Sequence, residues 1–289
     1  MAVKFFGQFL VEKGAVSRID LLKAIDLQEK TNLKFGEMVV KMGLMTATDI
    51  ARVHSAQRSE DLHFGDMAVK LGIITEEQVQ QVLTKQRNDH LYIGEALIQV
   101  GALKEDQLET LLQEFKKDQE SFISEKIQIP AGVPHQSIWE MVADLTYKML
   151  TRVAGMSFRP GPCTIVDKLP KRPVIAEMGF SGAVSARYLL SVSETTRNLV
   201  AKAILDEESV ENEPIEVLDD SVKEFINIVC GNIAAKAAQL GHSIEITPPE
   251  MCSSGDDGLA VPQDHTGLMF PIYLSDGEVF ELSIFIPKE

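Results

Sequence analysis

Apolar and glycine positions in the first 115 residues recur at an interval of 29. The segments Phe5–Gln28, Lys34–Gln57, His63–Gln86 and Tyr92–Phe115 are four copies of 24 residues, separated by five-residue connections. In each copy a bulky apolar residue (Phe6, Phe35, Phe64, Ile93) precedes a glycine (Gly7, Gly36, Gly65, Gly94), and a second glycine (Gly14, Gly43, Gly72, Gly101) follows seven residues later. An aliphatic residue (Leu21, Ile50, Val79, Leu108) comes after seven more, and a glutamine closes the first three copies, with Phe115 in its place in the fourth. The spacing predicts a short helix between the glycines, a left-handed cap at the second glycine, then a longer helix with i, i+4 apolar positions such as Leu21/Ile25 and Leu108/Leu112. Ser17, Thr46 and Thr75 fit as N-caps of the longer helices, and Thr75-Glu-Glu-Gln78 fits a capping box. One helix pair cannot cover its own apolar face, so the copies must stack. Residues 1–120 therefore read as an all-helical repeat domain of four 29-residue units.

The pattern changes after Phe115. Residues 121–133 are charged and then Pro/Gly-bearing, which suits a linker. From 134 to 289 helical and alternating stretches mix. His135–Val153 has an amphipathic stripe, Glu194–Leu205 is helical, and Asp220–Leu240 is a long helix stopped by Gly241. Cys163–Leu169, Pro173–Met178, Ala183–Ser191, Ser243–Thr247, Leu268–Leu274 and Val279–Ile286 read as strands. Gly179-Phe-Ser-Gly182 reads as a turn joining two of them, and Asp206–Asp220, with eight carboxylates in fifteen residues, as a solvated loop. This is an α+β domain with a largely antiparallel sheet.

Charge sharpens the division. The whole chain carries −15, and 15 basic against 19 acidic residues leave only −4 of it on residues 1–120. So acidic a surface repels phosphate backbones and anionic lipid, which excludes general nucleic-acid binding. No apolar run reaches the ~20 residues that span a bilayer, and Met1–Lys13 has no cleavage-site pattern, so a cytoplasmic location is expected. Cys163, Cys230 and Cys252 are too widely spaced for a metal site or a disulfide framework, and the six histidines show no ligand spacing. No metal or other cofactor is expected on this chain.

Within the long helix the apolar stripe runs through Val222, Phe225, Ile226, Val229 and Ile233. At 100° per residue Asp220, Glu224, Asn227 and Gly231 fall together on another face. An acid and an amide three apart, beside a residue with no side chain, form a polar notch on a rigid element.

Glu224-Phe-Ile-Asn227-Ile-Val-Cys-Gly231-Asn232 resembles the E-x-x-N-x-x-x-G-N core of the CheX/CheC chemotaxis phosphatases, and Gly179 to Ser193 resembles that family's glycine-bearing turn and strand. The resemblance implies a CheX-like domain over 134–289 that hydrolyses the aspartyl phosphate of a response-regulator receiver. In that family Asn227 would hold the attacking water, Glu224 would pair with a receiver lysine, and Gly231 would let the partner approach closely, with Asp220 beside them. Mg²⁺ would sit on the receiver. Phosphoryl transfer asks mainly for positioning and charge stabilisation, so this short inventory suffices. Asn232 would brace the fold, and Gly231 has a competing role in helix packing within the domain. The family also implies a homodimer made through exposed sheet edges. The alternative from another class is a non-catalytic adaptor that binds a receiver.

The repeat frame of residues 5–115 resembles the N-terminal (MshEN-like) domain of type II secretion and type IV pilus ATPases, some of which bind cyclic di-GMP. That family opens its motif with arginine, whose fork suits guanine and phosphate. Here Phe5, Lys34, His63 and Tyr92 stand at that position. A cyclic di-GMP sensor is thus disfavoured, and Lys34, Gln28 and Gln57 are the residues left that could contribute. The simpler reading is a regulatory or targeting module whose glutamines cap or brace it.

Overall fold

A computed structural model describes residues 4–57, 60, 62–119, 127–275 and 277–288. The chain divides into two compact units, Met1–Ser121 and Phe122–Glu289. Of the expected linker, residues 121–126 lie outside the described residues.

The N-terminal unit is helical: α1 (Phe6–Glu12), α2 (Arg18–Thr31), α3 (Phe35–Lys41), α4 (Ala47–Gln57), α5 (Phe64–Lys70), α6 (Glu76–Asn88), α7 (Ile93–Gln99) and α8 (Glu105–Gln119). Gly14, Gly43, Gly72 and Gly101 all take φ between +68° and +75°, where a β-carbon would strain the chain, so each ends a short helix without cost. The Ser17 and Thr46 hydroxyls accept from the backbone N–H groups of Asp20 and Asp49, and Thr75 and Gln78 close a reciprocal box.

Packing in this unit is nested. Helices α3–α6 share one core, around Met38, Val39, Val53, Met67 and Val82. Helices α1, α2, α7 and α8 share another, around Phe9, Leu10, Ala24, Leu97 and Leu111. The second copy therefore packs on the third and the first on the fourth. The closing glutamines cross these pairs. Gln57 Nε2 donates to the Leu62 carbonyl (2.9 Å), Gln86 Nε2 to that of Leu33 (2.9 Å), and Gln28 Nε2 to that of Leu91 (3.0 Å). In the fourth copy Phe115 packs against Phe6 and Phe9 at ring separations of 5.3 and 5.5 Å. Gln119, one turn further on, supplies the missing clamp by accepting from the Lys4 backbone N–H at 2.8 Å.

The C-terminal unit places α9 (Gln136–Arg152), α10 (Glu194–Leu205) and α11 (Ile215–Gln239) with a sheet whose strand order is β1-β9-β10-β5-β4-β6. Those strands are β1 (Phe158–Pro160), β4 (Val174–Gly182), β5 (Ala186–Val192), β6 (Ile244–Ile246), β9 (His265–Leu274) and β10 (Val279–Pro287). Every pairing is antiparallel. Short strands β2 (Thr164–Val166) and β7 (Glu250–Met251) join β9 and β4, while β3 (Lys168–Leu169) pairs separately with β8 (Leu259–Ala260). Alternation along the strands sends Ala176, Met178, Tyr188, Leu190, Phe270, Ile272, Leu282 and Ile284 into one core with α9 and α11. The opposite face holds Ile175, Leu189 and Phe285, which are covered by Leu169, Leu259 and Val261 of the β3/β8 segments. The end strands β1 and β6 are three residues each, a short ladder for any further strand.

Two expectations need correction. Gly179–Gly182 is not a turn but the end of β4, because β6 and its flanks pair with it closely: Gly179 N–H donates to Thr247 Oγ1 at 2.8 Å, and a β-carbon on Gly182 would stand 2.5 Å from the Ser243 carbonyl oxygen. Asp206–Asp220 is not all loop, because α11 begins at Ile215. Pro214 sits at its N-cap with φ −57°, and Glu216 lies in its first turn, where the helix dipole favours an acid.

Candidate functional site

The site rests on α11, which is anchored along its whole length. Val222, Phe225, Ile226, Val229 and Ile233 are completely buried, each burial contributing about 1.5–3 kcal/mol. That holds the rotation of the helix, so the opposite stripe is presented rigidly. Asp220, Glu224, Asn227 and Gly231 are all exposed on that stripe. The structure thus brings the four residues singled out on this helix onto one open face.

Their engagements differ. Asp220 is paired with Lys223 at 2.5 Å, an i, i+3 ion pair that the sequence spacing permits. Glu224 and Asn227 make no hydrogen bond or ion pair with any described residue, so an acceptor-only carboxylate and a two-donor amide stand unused toward solvent. Asn232 points inward, is buried, and donates to the Ile228 carbonyl at 2.9 Å. A β-carbon placed on Gly231 would meet nothing within 4 Å. The packing role considered for this glycine is therefore not seen: among the described residues nothing inside the domain requires it. A glycine in the interior of a 25-residue helix costs about 1 kcal/mol relative to alanine, and here no internal contact offsets that cost.

Among the described residues no group of three or more His, Cys, Asp or Glu is placed to hold a metal ion, and no helix is long and apolar enough to cross a membrane. The cysteines offer no activated nucleophile. Burial pushes the Cys163 thiol up to about 12, raises that of fully buried Cys230 well above the ordinary value, and raises Cys252 as well.

In the N-terminal unit the candidate ligand residues do not converge as free groups. Gln28 and Gln57 are both engaged with backbone carbonyls, and Gln57 is buried. They brace the fold, and neither amide is available to a nucleotide without breaking that clamp. Lys34 is exposed at the N-cap of α3, where its backbone N–H donates to Glu37 Oε2 at 2.7 Å. The acid already occupies the end of the helix that a phosphate would seek.

Residues 174–273, from β4 into β9 and including all of α11, match the family described as Chemotaxis phosphatase CheX. The CheY-P phosphatase CheX of Thermotoga maritima is 25% identical over 141 residues, which are 48% of this chain and 89% of that protein. Similar solved structures include a chemotaxis protein CheX from Desulfovibrio desulfuricans, with 19% identity, TM-score 0.44, and coverage of 52% of this chain and 99% of that one. Another is the CheX–CheY–BeF3–Mg²⁺ complex of Borrelia burgdorferi, with 22% identity, TM-score 0.45, and coverage of 52% and 98%.

Proposed function

We propose that the C-terminal unit removes phosphate from the aspartyl phosphate of a response-regulator receiver in chemotaxis or two-component signalling. The observation that carries this reading is the pair of partnerless, exposed side chains Glu224 and Asn227 on one rigid helix face, inside the segment that matches the chemotaxis phosphatase family. Asn227 would hold a water in line with the phosphorus through its amide. Glu224 would accept from a receiver lysine and hold the helix across the receiver's site. In this reading the receiver would bring the Mg²⁺ and the scissile bond, and this chain would supply position. That division suits an acyl phosphate, which is already reactive. Gly231 would be the place of closest approach, with Asp220 and its Lys223 partner at the edge of the contact.

In this reading residues 1–120 form a regulatory or targeting module of four helix-pair repeats, MshEN-like in frame. Three of the four closing glutamine positions are occupied by structural clamps, which adds to the missing arginines in weighing against cyclic di-GMP. Self-association through a sheet edge belongs to the same reading, and sedimentation of the C-terminal unit's parent chain at tens of micromolar would reveal it.

The test is the decay of a phosphorylated receiver with each variant, beside circular dichroism to check folding. Asn227→Ala removes most of the stimulated decay while binding survives, since alanine cannot hold the water and the side chain lies off the buried stripe. Glu224→Ala weakens binding by about 1 kcal/mol, the loss typical of an exposed rim charge, and Glu224→Lys weakens it further by opposing like charges. An Asn227→Ala protein as active as the parent would overturn the water-holding role and put the adaptor reading first.

A further inference from the structure

The sheet face turned away from α11 contains a polar patch in an otherwise apolar layer. Ser191 on β5 lies opposite Glu281 on β10, and Ser283 lies opposite Leu189, so the two serines are diagonal neighbours on the same face. Both are completely buried, and neither hydroxyl oxygen has a hydrogen-bond partner among the described residues. Glu281, 3% exposed, is held by Arg172 from the covering segment after β3, with Nε to Oε2 at 2.9 Å and Nη2 to Oε1 at 2.6 Å. Ser254 in turn donates to the Arg172 carbonyl at 3.2 Å, which fastens that segment to the stretch before β8.

Two buried hydroxyls left without partners are costly, and native interiors satisfy nearly all such groups. Diagonal neighbours across an antiparallel ladder stand about 7–8 Å apart. That span suits two short hydroxyl arms with one molecule between them. Ser191 and Ser283 are also smaller than Ile175, Leu189 and Phe285 on the same face. The carboxylate of Glu281 keeps acceptor capacity beyond its two bonds to Arg172, offering a third polar partner. Buried waters have about three such partners.

We propose that Ser191 and Ser283 bind one ordered water molecule, sealed between the sheet and the covering β3/β8 segments. A crystal structure of the full chain tests this directly. The expected result is a density peak within hydrogen-bond distance of both Oγ atoms, lost in Ser283→Ala. A dry gap, or a direct hydrogen bond between the two serines, overturns it. Thermal unfolding gives a second reading that does not need crystals. A bridged pair predicts that Ser191→Ala and Ser283→Ala each lower the midpoint, and that the double variant falls little below the worse single one, since either change alone removes the bridge. Partnerless hydroxyls predict the reverse, a midpoint that rises with each alanine, and that outcome also overturns the proposal.

Discussion

Replacing Gly231 with alanine sets stability against function. Nothing lies within 4 Å of the new methyl, so the folded domain meets no clash. The helix gains what glycine forfeits, about 0.4–1 kcal/mol, much of it from a less mobile unfolded chain. In a unit the size of Phe122–Glu289, each kcal/mol moves the midpoint of unfolding by about 2–4 °C. Gly231→Ala should therefore melt about 1–4 °C higher than the parent by calorimetry. Docking should move the other way. If the receiver surface packs against bare backbone at this position, a methyl overfills the contact at a cost of about 1–3 kcal/mol, a roughly 5- to 150-fold weaker association. The assay is stimulated decay of the phosphorylated receiver at subsaturating concentrations, with Gly231→Leu as a larger probe that should be worse still. A Gly231→Ala protein that is more stable and fully active would refute close approach at this position. One that is less stable would refute the claim that the glycine has no internal role.

Gln57→Ala should lower the stability of the N-terminal unit by about 1–2 kcal/mol, because it leaves the Leu62 carbonyl without its donor; urea titration followed by circular dichroism checks it. Calorimetric titration with cyclic di-GMP should show no saturable binding below about 1 μM, roughly −8 kcal/mol, and tight binding would mean that the arginine replacements and the occupied glutamines had been misjudged. Thiol labelling at neutral pH should be slow at all three cysteines, since each thiol is raised and the thiolate is the reactive form. Partly exposed Cys252 and Cys163 should precede Cys230, which should react only on unfolding.

Long periodic elements were legible. The stripe through Val222, Phe225 and Val229 predicted which side of α11 would be buried, and α10 runs over the residues its pattern marked, Glu194–Leu205. The features without a local signal depend on partners distant in sequence. Gly179 and Gly182 look like turn residues until Thr247 and Ser243 are seen beside them. The carboxylates after Pro214 look like loop until the helix dipole that accommodates them is in place. Strands β3 and β8 are two residues each, below any periodic signal, yet their Leu169 and Leu259 pack on Ile175, Leu189 and Phe285. At the site, the face shared by Glu224 and Asn227 follows from spacing alone. That no described side chain packs on Gly231, and that Asn232 bonds the Ile228 carbonyl, needed the packed helix.

The nested arrangement of the N-terminal helices bears on how the chain is made. The clamp between Gln28 and Leu91 joins residues 63 apart, and that between Lys4 and Gln119 joins residues 115 apart. The inner copies can close on each other as soon as residue 88 is available, but α1 and α2 must wait for α8. At a ribosomal rate of about 5–20 residues per second, the apolar side of α1 stays uncovered for several seconds or more after it is synthesised. Phe6, Phe9 and Leu10 are then a target for chaperones or for the same segment of another chain. A truncation that removes the last copy would not leave three quarters of a domain. It would leave the inner pair folded and the first copy permanently without its cover.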